Sequence, residues 1–222
     1  MPEILNKLDF TAAFNQLAGV SDANWGKYQF QRDLLQKKVS QEEQWQMIAA
    51  AQACGIGEAR KLKAVYPRLS LLELYERLEI PIAYGDEEQI GNRLLFALYD
   101  PRNGVFLMKK PIEKFAQLAQ EEEITADATR DVLLAHELFH HIESQNEELY
   151  TQKKKIELWK FLFYTHRSNV RALSEIAAMS FAKELLAMSY SPYLFEVLML
   201  WPYDQEQAQS HLTEIQEILI RT

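Results

Sequence analysis

The chain has few of the residues that stabilise small secreted or loop-rich proteins. Cys54 is the single cysteine among 222 residues, so the chain can form neither an internal disulfide bond nor a cysteine-based zinc site. A lone cysteine is typical of a protein from a reducing compartment. Seven glycines and seven prolines are too few for a chain dominated by turns. These shortages favour a mainly helical fold.

Long hydrophobic segments and long basic segments are both missing. The most apolar late segment, residues 193–201, is too short to span a bilayer and contains Glu196. The first ten residues, MPEILNKLDF, lack the basic and apolar regions of a signal peptide. The formal net charge is −8, from 24 basic and 32 acidic residues, and no five basic residues are consecutive. We therefore predict a cytoplasmic protein that binds neither membranes nor nucleic acid.

Apolar residues recur at helical spacing through most of the chain. Hydrophobic residues make up 48% and charged residues 25% of the sequence, as in an ordinary globular protein. Gly55 and Gly57 are expected to end the second helix, Ser70 to cap the fourth, and Thr125 or Asp127 to cap the sixth. We predict helices over residues 10–17, 30–53, 58–66, 71–78, 112–119, 149–163, 172–188, 193–200 and 206–220, and a sixth in chain order that begins after Thr125 or Asp127 and runs through His141 and beyond.

Strand signals are confined to the middle of the chain. Residues 93–99 and 105–108 are predicted strands, and the Asp100–Gly104 segment between them contains Pro101 and the pair Asn103-Gly104, which are typical of turns. This pattern predicts a β-hairpin. The expected fold class is α+β, mainly helical, with a small antiparallel sheet. A weak boundary near residue 70 would separate a helical N-terminal region, 1–70, from residues 71–222, although both could form one domain.

An HExxH motif, His136-Glu137-Leu138-Phe139-His140, lies within a segment free of glycine and proline. On a helix, positions i and i+4 share one face, so both imidazoles can bind the same metal ion. Glu137 can then act as general base toward a water molecule on zinc. Three of the five histidines fall at 136, 140 and 141, which argues against a chance match. The motif predicts a zinc-dependent peptidase that acts on a protein or peptide substrate.

A catalytic zinc ion normally has three protein ligands and a water molecule. Glu175 is one candidate for the third ligand, because the small residues after it would allow its helix to pack closely against another helix. It could equally be an exposed glutamate at the start of a helix capped by Ser174. Spacing leaves five other carboxylates open: Glu143, Glu147, Glu148, Glu157 and Glu184.

The remaining polar residues near the motif allow several assignments. His141 follows the motif on a different helical face and is expected to support the site or to lie at the surface. His166 and His211 have no paired ligand at helical spacing. Acyl transfer needs a donor for the developing oxyanion, and Tyr164, His166 and Arg171 are candidates for it.

Three segments in order resemble the IrrE/ImmA-like zinc metallopeptidases, formerly a domain of unknown function. The first is the predicted hairpin, ALYDP at residues 97–101 followed by VFL at residues 105–107. The second is LLAHELFHH, at residues 133–141. The third is EIAA, at residues 175–178, followed by Phe181-Ala182 and Leu185-Leu186. Together they span roughly residues 80–190.

The resemblance implies a compact zincin-like domain, within residues 71–222, that cleaves a regulatory protein. It implies that His136, His140 and Glu175 bind zinc and that Glu137 is the general base.

The chain also departs from the family pattern. Phe139 stands where glycine is usual, and Met179 stands where asparagine or aspartate is usual. The proline usual after the Leu185-Leu186 pair is absent, and the segment between His140 and Glu175 is long. These departures concern substrate and activity more than metal binding.

Two other classes of function compete with a peptidase. Gly55-Ile56-Gly57, followed by Lys61 and Lys63, resembles the hairpin of a helix-hairpin-helix motif that holds a DNA backbone. However, residues 1–80 contain as many acidic as basic residues, which favours an ordinary helix end. The third class is a non-catalytic module that keeps zinc for structure or uses its cleft to bind a partner. The sequence does not indicate an oligomeric state.

Overall fold

The computed structural model describes residues 2–86, 89–90, 93–161 and 164–221. Helices make up most of this part of the chain, and the predicted α+β, mainly helical class is confirmed. The helices are α1 (Pro2–Ala18), α2 (Asp22–Gln31), α3 (Gln41–Val65), α4 (Leu71–Arg77), α5 (Lys109–Leu118), α6 (Ala126–Ser144), α7 (Tyr150–Lys153), α8 (Arg171–Leu186), α9 (Tyr193–Leu198) and α10 (Gln205–Arg221). The strands are β1 (Ile82–Gly85), β2 (Gln89–Ile90), β3 (Arg93–Leu94), β4 (Ala97–Asp100), β5 (Gly104–Met108), β6 (Lys155–Phe161) and β7 (Tyr164–Asn169).

The predicted hairpin is confirmed as β4 and β5, which pair antiparallel from Ala97↔Leu107 to Asp100↔Gly104. The predicted strand over residues 93–99 is wrong as one element, because Arg93–Leu94 forms a separate strand that pairs with β2. The Asp100 carboxylate accepts hydrogen bonds from the backbone N–H groups of Arg102 and Asn103, each at 2.9 Å. Gly104 has a φ of +81°, a conformation that glycine adopts without steric cost. These contacts fix the turn that precedes β5.

The small sheet is mixed, because β1 pairs in parallel with β5 on the side opposite β4. The order β1-β5-β4 leaves the outer edge of β4 without a partner among the described strands. The sheet packs against α6 through β4 and β5. Its open edge therefore lies beside the helix that carries the HExxH motif.

Helix α8 is the centre of the helical layer, with α3 and α6 packed along it. Small residues on its buried face, Ala177, Ala178 and Ala182, are fully shielded from solvent. The hydrophobic cluster continues from Phe10 in α1 to Ile218 in α10. Side chains from both predicted regions, 1–70 and 71–222, join this cluster, and the division between them stays a prediction.

The predicted helix over residues 30–53 is wrong at both ends. The chain leaves α2 after Gln31 and forms a short 3-10 turn, Gln36–Lys38, before Ser40 caps α3. The Gln44 amide stabilises this break by donating to the backbone carbonyls of Gln36 and Val39, each at 2.9 Å. Side-chain hydrogen bonds of this kind compete with helix continuation and are not visible in apolar periodicity.

Gly55 and Gly57 do not end a helix, because α3 runs through both of them to Val65. The hairpin that the DNA-binding alternative requires at Gly55-Ile56-Gly57 is therefore not formed. Gly55 instead lies against the backbone of Ala177 and Phe181 in α8. Close packing of α3 on α8 therefore explains why position 55 is a glycine, although the sequence pattern predicted a helix end there.

The predicted helix over residues 149–163 is also wrong. Within it the structure describes one helical turn, Tyr150–Lys153, followed by the strand Lys155–Phe161, which pairs antiparallel with β7. The sequence from Lys155 to Leu158 alternates polar and apolar residues, with Ile156 buried and Glu157 exposed. This period of two is typical of a strand and outweighs helical propensity here.

Several other helix boundaries agree with those predicted from the sequence. Ser70 caps α4 in a capping box with Glu73, and Thr125 caps α6 by accepting a hydrogen bond from the N–H of Ala128 at 3.0 Å. The predicted helices at 112–119, 193–200 and 206–220 correspond to α5, α9 and α10 within a few residues. No helix in the described ranges has both the length and the apolar character needed to cross a bilayer.

Candidate metal centre

Helix α6 presents the motif on a firmly held backbone. One face, with Leu134, Leu138 and Phe139, is fully buried in the core. The Tyr75 hydroxyl donates a hydrogen bond of 2.7 Å to the carbonyl of Leu134, just before the motif. The other face carries His136, one turn before His140. The helix is therefore anchored on one side and presents the histidines on the other.

Helix α8 brings Glu175 opposite the two histidines. Because α8 begins at Arg171, Ser174 lies inside the helix and does not cap it. The Asp33 carboxylate caps the helix instead, because it accepts a hydrogen bond of 2.9 Å from the backbone N–H of Ala172. The interpretation of Glu175 as a glutamate at a Ser174-capped helix start is therefore wrong.

Three donor groups converge between α6 and α8. The Nε2 atoms of His136 and His140 lie 3.0 Å apart. The Glu175 carboxylate lies 3.3 Å from Nε2 of His136 and 3.8 Å from Nε2 of His140. Among the described residues these three form the group of His, Cys, Asp and Glu side chains that could hold one metal ion.

The spacing of these donors fits a tetrahedral zinc site. Ligands at about 2.1 Å from zinc in tetrahedral geometry lie about 3.4 Å from one another. The three observed separations, 3.0, 3.3 and 3.8 Å, bracket that value. Two imidazole nitrogens and one carboxylate are also a ligand set of catalytic zinc enzymes, which keep a fourth position open. The residues present therefore fit the ion that the motif predicts.

Within the donor group, His136 and Glu175 stabilise opposite charges on each other. Burial alone would lower the pKa of His136, but the hydrogen bond and negative charge of Glu175 raise that pKa to about 9. Burial alone would raise the pKa of Glu175, but its contact with His136 and the nearby charges of His140 and Arg171 lower it to about 2. Without a metal ion, His136 and Glu175 thus form an ion pair, which a metal ion bound by both residues would have to open.

Glu143 lies behind His140, on the side away from Glu175. Its carboxylate is 3.6 Å from Nδ1 of His140 and accepts a hydrogen bond of 2.5 Å from the Ser174 hydroxyl. Burial tends to raise the pKa of Glu143, but contacts with His140, Ser174 and Thr151 lower it. A carboxylate at this ring nitrogen orients the imidazole so that Nε2 faces the metal position.

The other carboxylates that spacing left open do not join the metal group. Glu147 and Glu148 are exposed beyond the end of α6, and Glu148 pairs with Lys153. Glu157 is exposed on β6. Glu184 pairs with Arg60 at 3.0 Å on the far part of α8. Glu175 is the carboxylate that the fold brings to both histidines.

Glu137 lies between two recesses that open beside the donor group. The larger has a volume of about 520 Å³ and is lined by Tyr99 and Pro101 of the hairpin region and by the three donor residues. The smaller has a volume of about 210 Å³ and extends toward α9. Glu137 is 9% exposed and contributes to the walls of both. Glu137 thus borders both recesses.

The other histidines do not belong to the metal group. His141 shares a hydrogen bond of 3.1 Å with the Tyr99 hydroxyl, and burial lowers its pKa. His211 contacts Arg32 and packs edge-on against Tyr28. The side chain of His166 lies outside the described part of the structure.

The candidates for an oxyanion donor remain predictions. The side chain of Tyr164, like that of His166, lies outside the described part. Arg171 begins α8 one turn before Glu175, and its charge contributes to the low pKa of that carboxylate. Arg171 therefore contributes positive charge near the donor group, and its role as a donor to a substrate oxyanion stays a prediction.

Two of the departures from the family pattern have clear structural roles. Phe139 is fully buried and packs against Phe181 of α8, with ring centroids 5.7 Å apart. Met179 lies one turn after Glu175 and lines the smaller recess. Phe139 therefore joins α6 to α8, and Met179 gives the recess an apolar wall.

Comparisons with protein-family models, curated proteins and solved structures gave no match to this chain. The resemblance to the IrrE/ImmA-like metallopeptidases therefore rests on the sequence motifs alone and stays a prediction. The geometry of the donor group is independent of that resemblance.

Sequence reasoning missed the roles of two residues at the site. From sequence, Glu143 is only a candidate ligand, although its spacing of three residues from His140 already places the two side chains on one helical face. Glu196 is only a charge in an apolar segment, yet it lines the smaller recess. No local pattern connects Glu196 with the motif, because α9 reaches the site only through tertiary packing.

Proposed function

We propose that this protein is a zinc-dependent peptidase of the HExxH type. In this proposal His136, His140 and Glu175 are the zinc ligands and Glu137 is the general base. The observation that carries it is the convergence of three donors at separations suited to tetrahedral zinc. Helix α6 supplies two ligands and the base, and α8 completes the donor set.

Each residue has a distinct task in the proposed reaction. Zinc, when bound, would polarise a peptide carbonyl and lower the pKa of a water molecule to about 7. Glu137 takes the proton from the attacking water and passes it to the leaving amine. Glu143 holds the ring of His140, and the buried face of α6 keeps both histidines in place.

The open edge of β4 suits an extended peptide substrate. Ala97, Leu98 and Tyr99 of this strand line the larger recess together with the donor residues. A peptide that adds to this edge as a further strand would form backbone hydrogen bonds and pass beside Glu137. The sequence resemblance suggests a regulatory protein as the source of the peptide, and the lone, free Cys54 suits action in the cytoplasm.

The test joins metal analysis to cleavage of a random peptide library read by mass spectrometry. We expect about one zinc per chain in the wild type and in Glu137→Gln, and little in His140→Ala or Glu175→Ala. Peptides should be cleaved by the wild type only. Absence of zinc from the reconstituted wild type, or equal cleavage by Glu137→Gln, would overturn the proposal.

A non-catalytic zinc module is distinguished by the same variant. Such a module would bind zinc through the same three ligands, but it would not depend on Glu137. If Glu137→Gln retained zinc and the biological function of the protein, the cleft would serve binding and not catalysis. The DNA-binding alternative lacks its structural basis, because Gly55 and Gly57 lie inside α3.

A further inference from the structure

The smaller recess combines apolar walls with a carboxylate, that of Glu196, in addition to Glu137 and the donor group. Its volume is about 210 Å³, enough for several water molecules at about 30 Å³ each, and therefore for one long side chain. It borders His136, Glu137 and Glu175 at one end. The walls are formed mainly by Phe96, Val132, Leu133, Met179, Phe195 and Met199.

Glu196 of α9 stands on the wall of this recess. Its side chain is 39% exposed and lines the recess. The nearest cation, Arg32, lies 3.8 Å away and makes a shorter ion pair of 2.8 Å with Glu214. Glu196 is therefore accessible and only loosely paired.

We propose that this recess receives a lysine or arginine side chain of the substrate, next to the bond that is cleaved. The inference rests on the proposed peptidase function. Lysine and arginine bury an apolar stem while their charged end reaches a polar group, and the recess offers both surfaces. A purely apolar side chain would shield the Glu196 carboxylate from water while leaving it only its loose pair with Arg32, which is unfavourable. An acidic side chain would meet Glu137, Glu175 and Glu196.

Paired ligands test the recess without requiring turnover. Nα-acetyl-lysine hydroxamate and Nα-acetyl-norleucine hydroxamate carry the same zinc-binding group and differ in the terminal ammonium. We expect the zinc-loaded wild type to bind the lysine compound about tenfold or more tightly in calorimetry. In Glu196→Gln the two affinities should become nearly equal, because the lysine compound loses its ionic partner and the norleucine compound no longer covers a charged carboxylate, while zinc content stays unchanged. Glu76→Gln, an exposed change on α4, is the matched control.

The other results distinguish failure of this inference alone from failure of the proposed function. Equal affinities in the wild type, or a lysine preference that persists in Glu196→Gln, would overturn the assignment of the recess while leaving the zinc site intact. If zinc binds but neither hydroxamate does, no ligand reaches the metal, and both the peptidase proposal and this inference fail.

Discussion

Gly55 of α3 and Ala177 of α8 are in backbone contact, so a Cβ atom at position 55 would collide with the Ala177 carbonyl. This contact lies two residues from Glu175 and sets how closely α3 approaches the helix that carries it. The N-terminal helices therefore support the candidate metal centre, even though none of their residues belongs to the donor group.

The two glycines of α3 should respond oppositely to alanine. Gly55→Ala should lower the free energy of unfolding by about 1–3 kcal/mol, because the added methyl group has no space. Gly57→Ala is the matched control: a Cβ atom there meets nothing within 4 Å, and alanine in a helix should raise stability by about 0.5–1 kcal/mol. Urea unfolding measures both. Stabilisation by Gly55→Ala would contradict the packing.

Zinc affinity should depend steeply on pH. The metal-free protein holds a proton on His136, whose pKa is raised to about 9, and zinc has to displace that proton. The apparent affinity should therefore rise about tenfold per pH unit from about pH 7 to 9 and level off above it. Competition with a chelator of known pH dependence measures this. An affinity that stays constant across this range would show that His136 is already neutral.

Glu143 should strengthen zinc binding without being a ligand. Glu143→Ala removes the carboxylate behind His140 and should weaken zinc binding about 10–100-fold. Glu147→Gln, an exposed change just beyond α6, is the control and should have no effect. Loss of zinc as complete as in His140→Ala would instead identify Glu143 as a direct ligand.

Local sequence signals predict the parts of the fold that local interactions determine. Ser70 and Thr125 cap helices where expected, and Asn103-Gly104 closes the predicted hairpin. The prediction at Gly55 is wrong because a glycine that ends a helix and a glycine that admits a neighbouring helix look the same in one sequence. The position of Glu175 opposite His136 follows from packing of α6 on α8, whereas spacing alone leaves six carboxylates open.

Phe139 should be required for stability more than for metal binding. Its ring is fully buried against Phe181, so Phe139→Gly, which introduces the residue usual in the resembled family, should lower the free energy of unfolding by about 4 kcal/mol. Phe139→Leu, which keeps most of the apolar volume, is the control and should cost less. Urea unfolding of the metal-free proteins measures the difference. Equal stability of Phe139→Gly and the wild type would mean that the ring does not join α6 to α8, and the departure from the family pattern would then have no structural explanation.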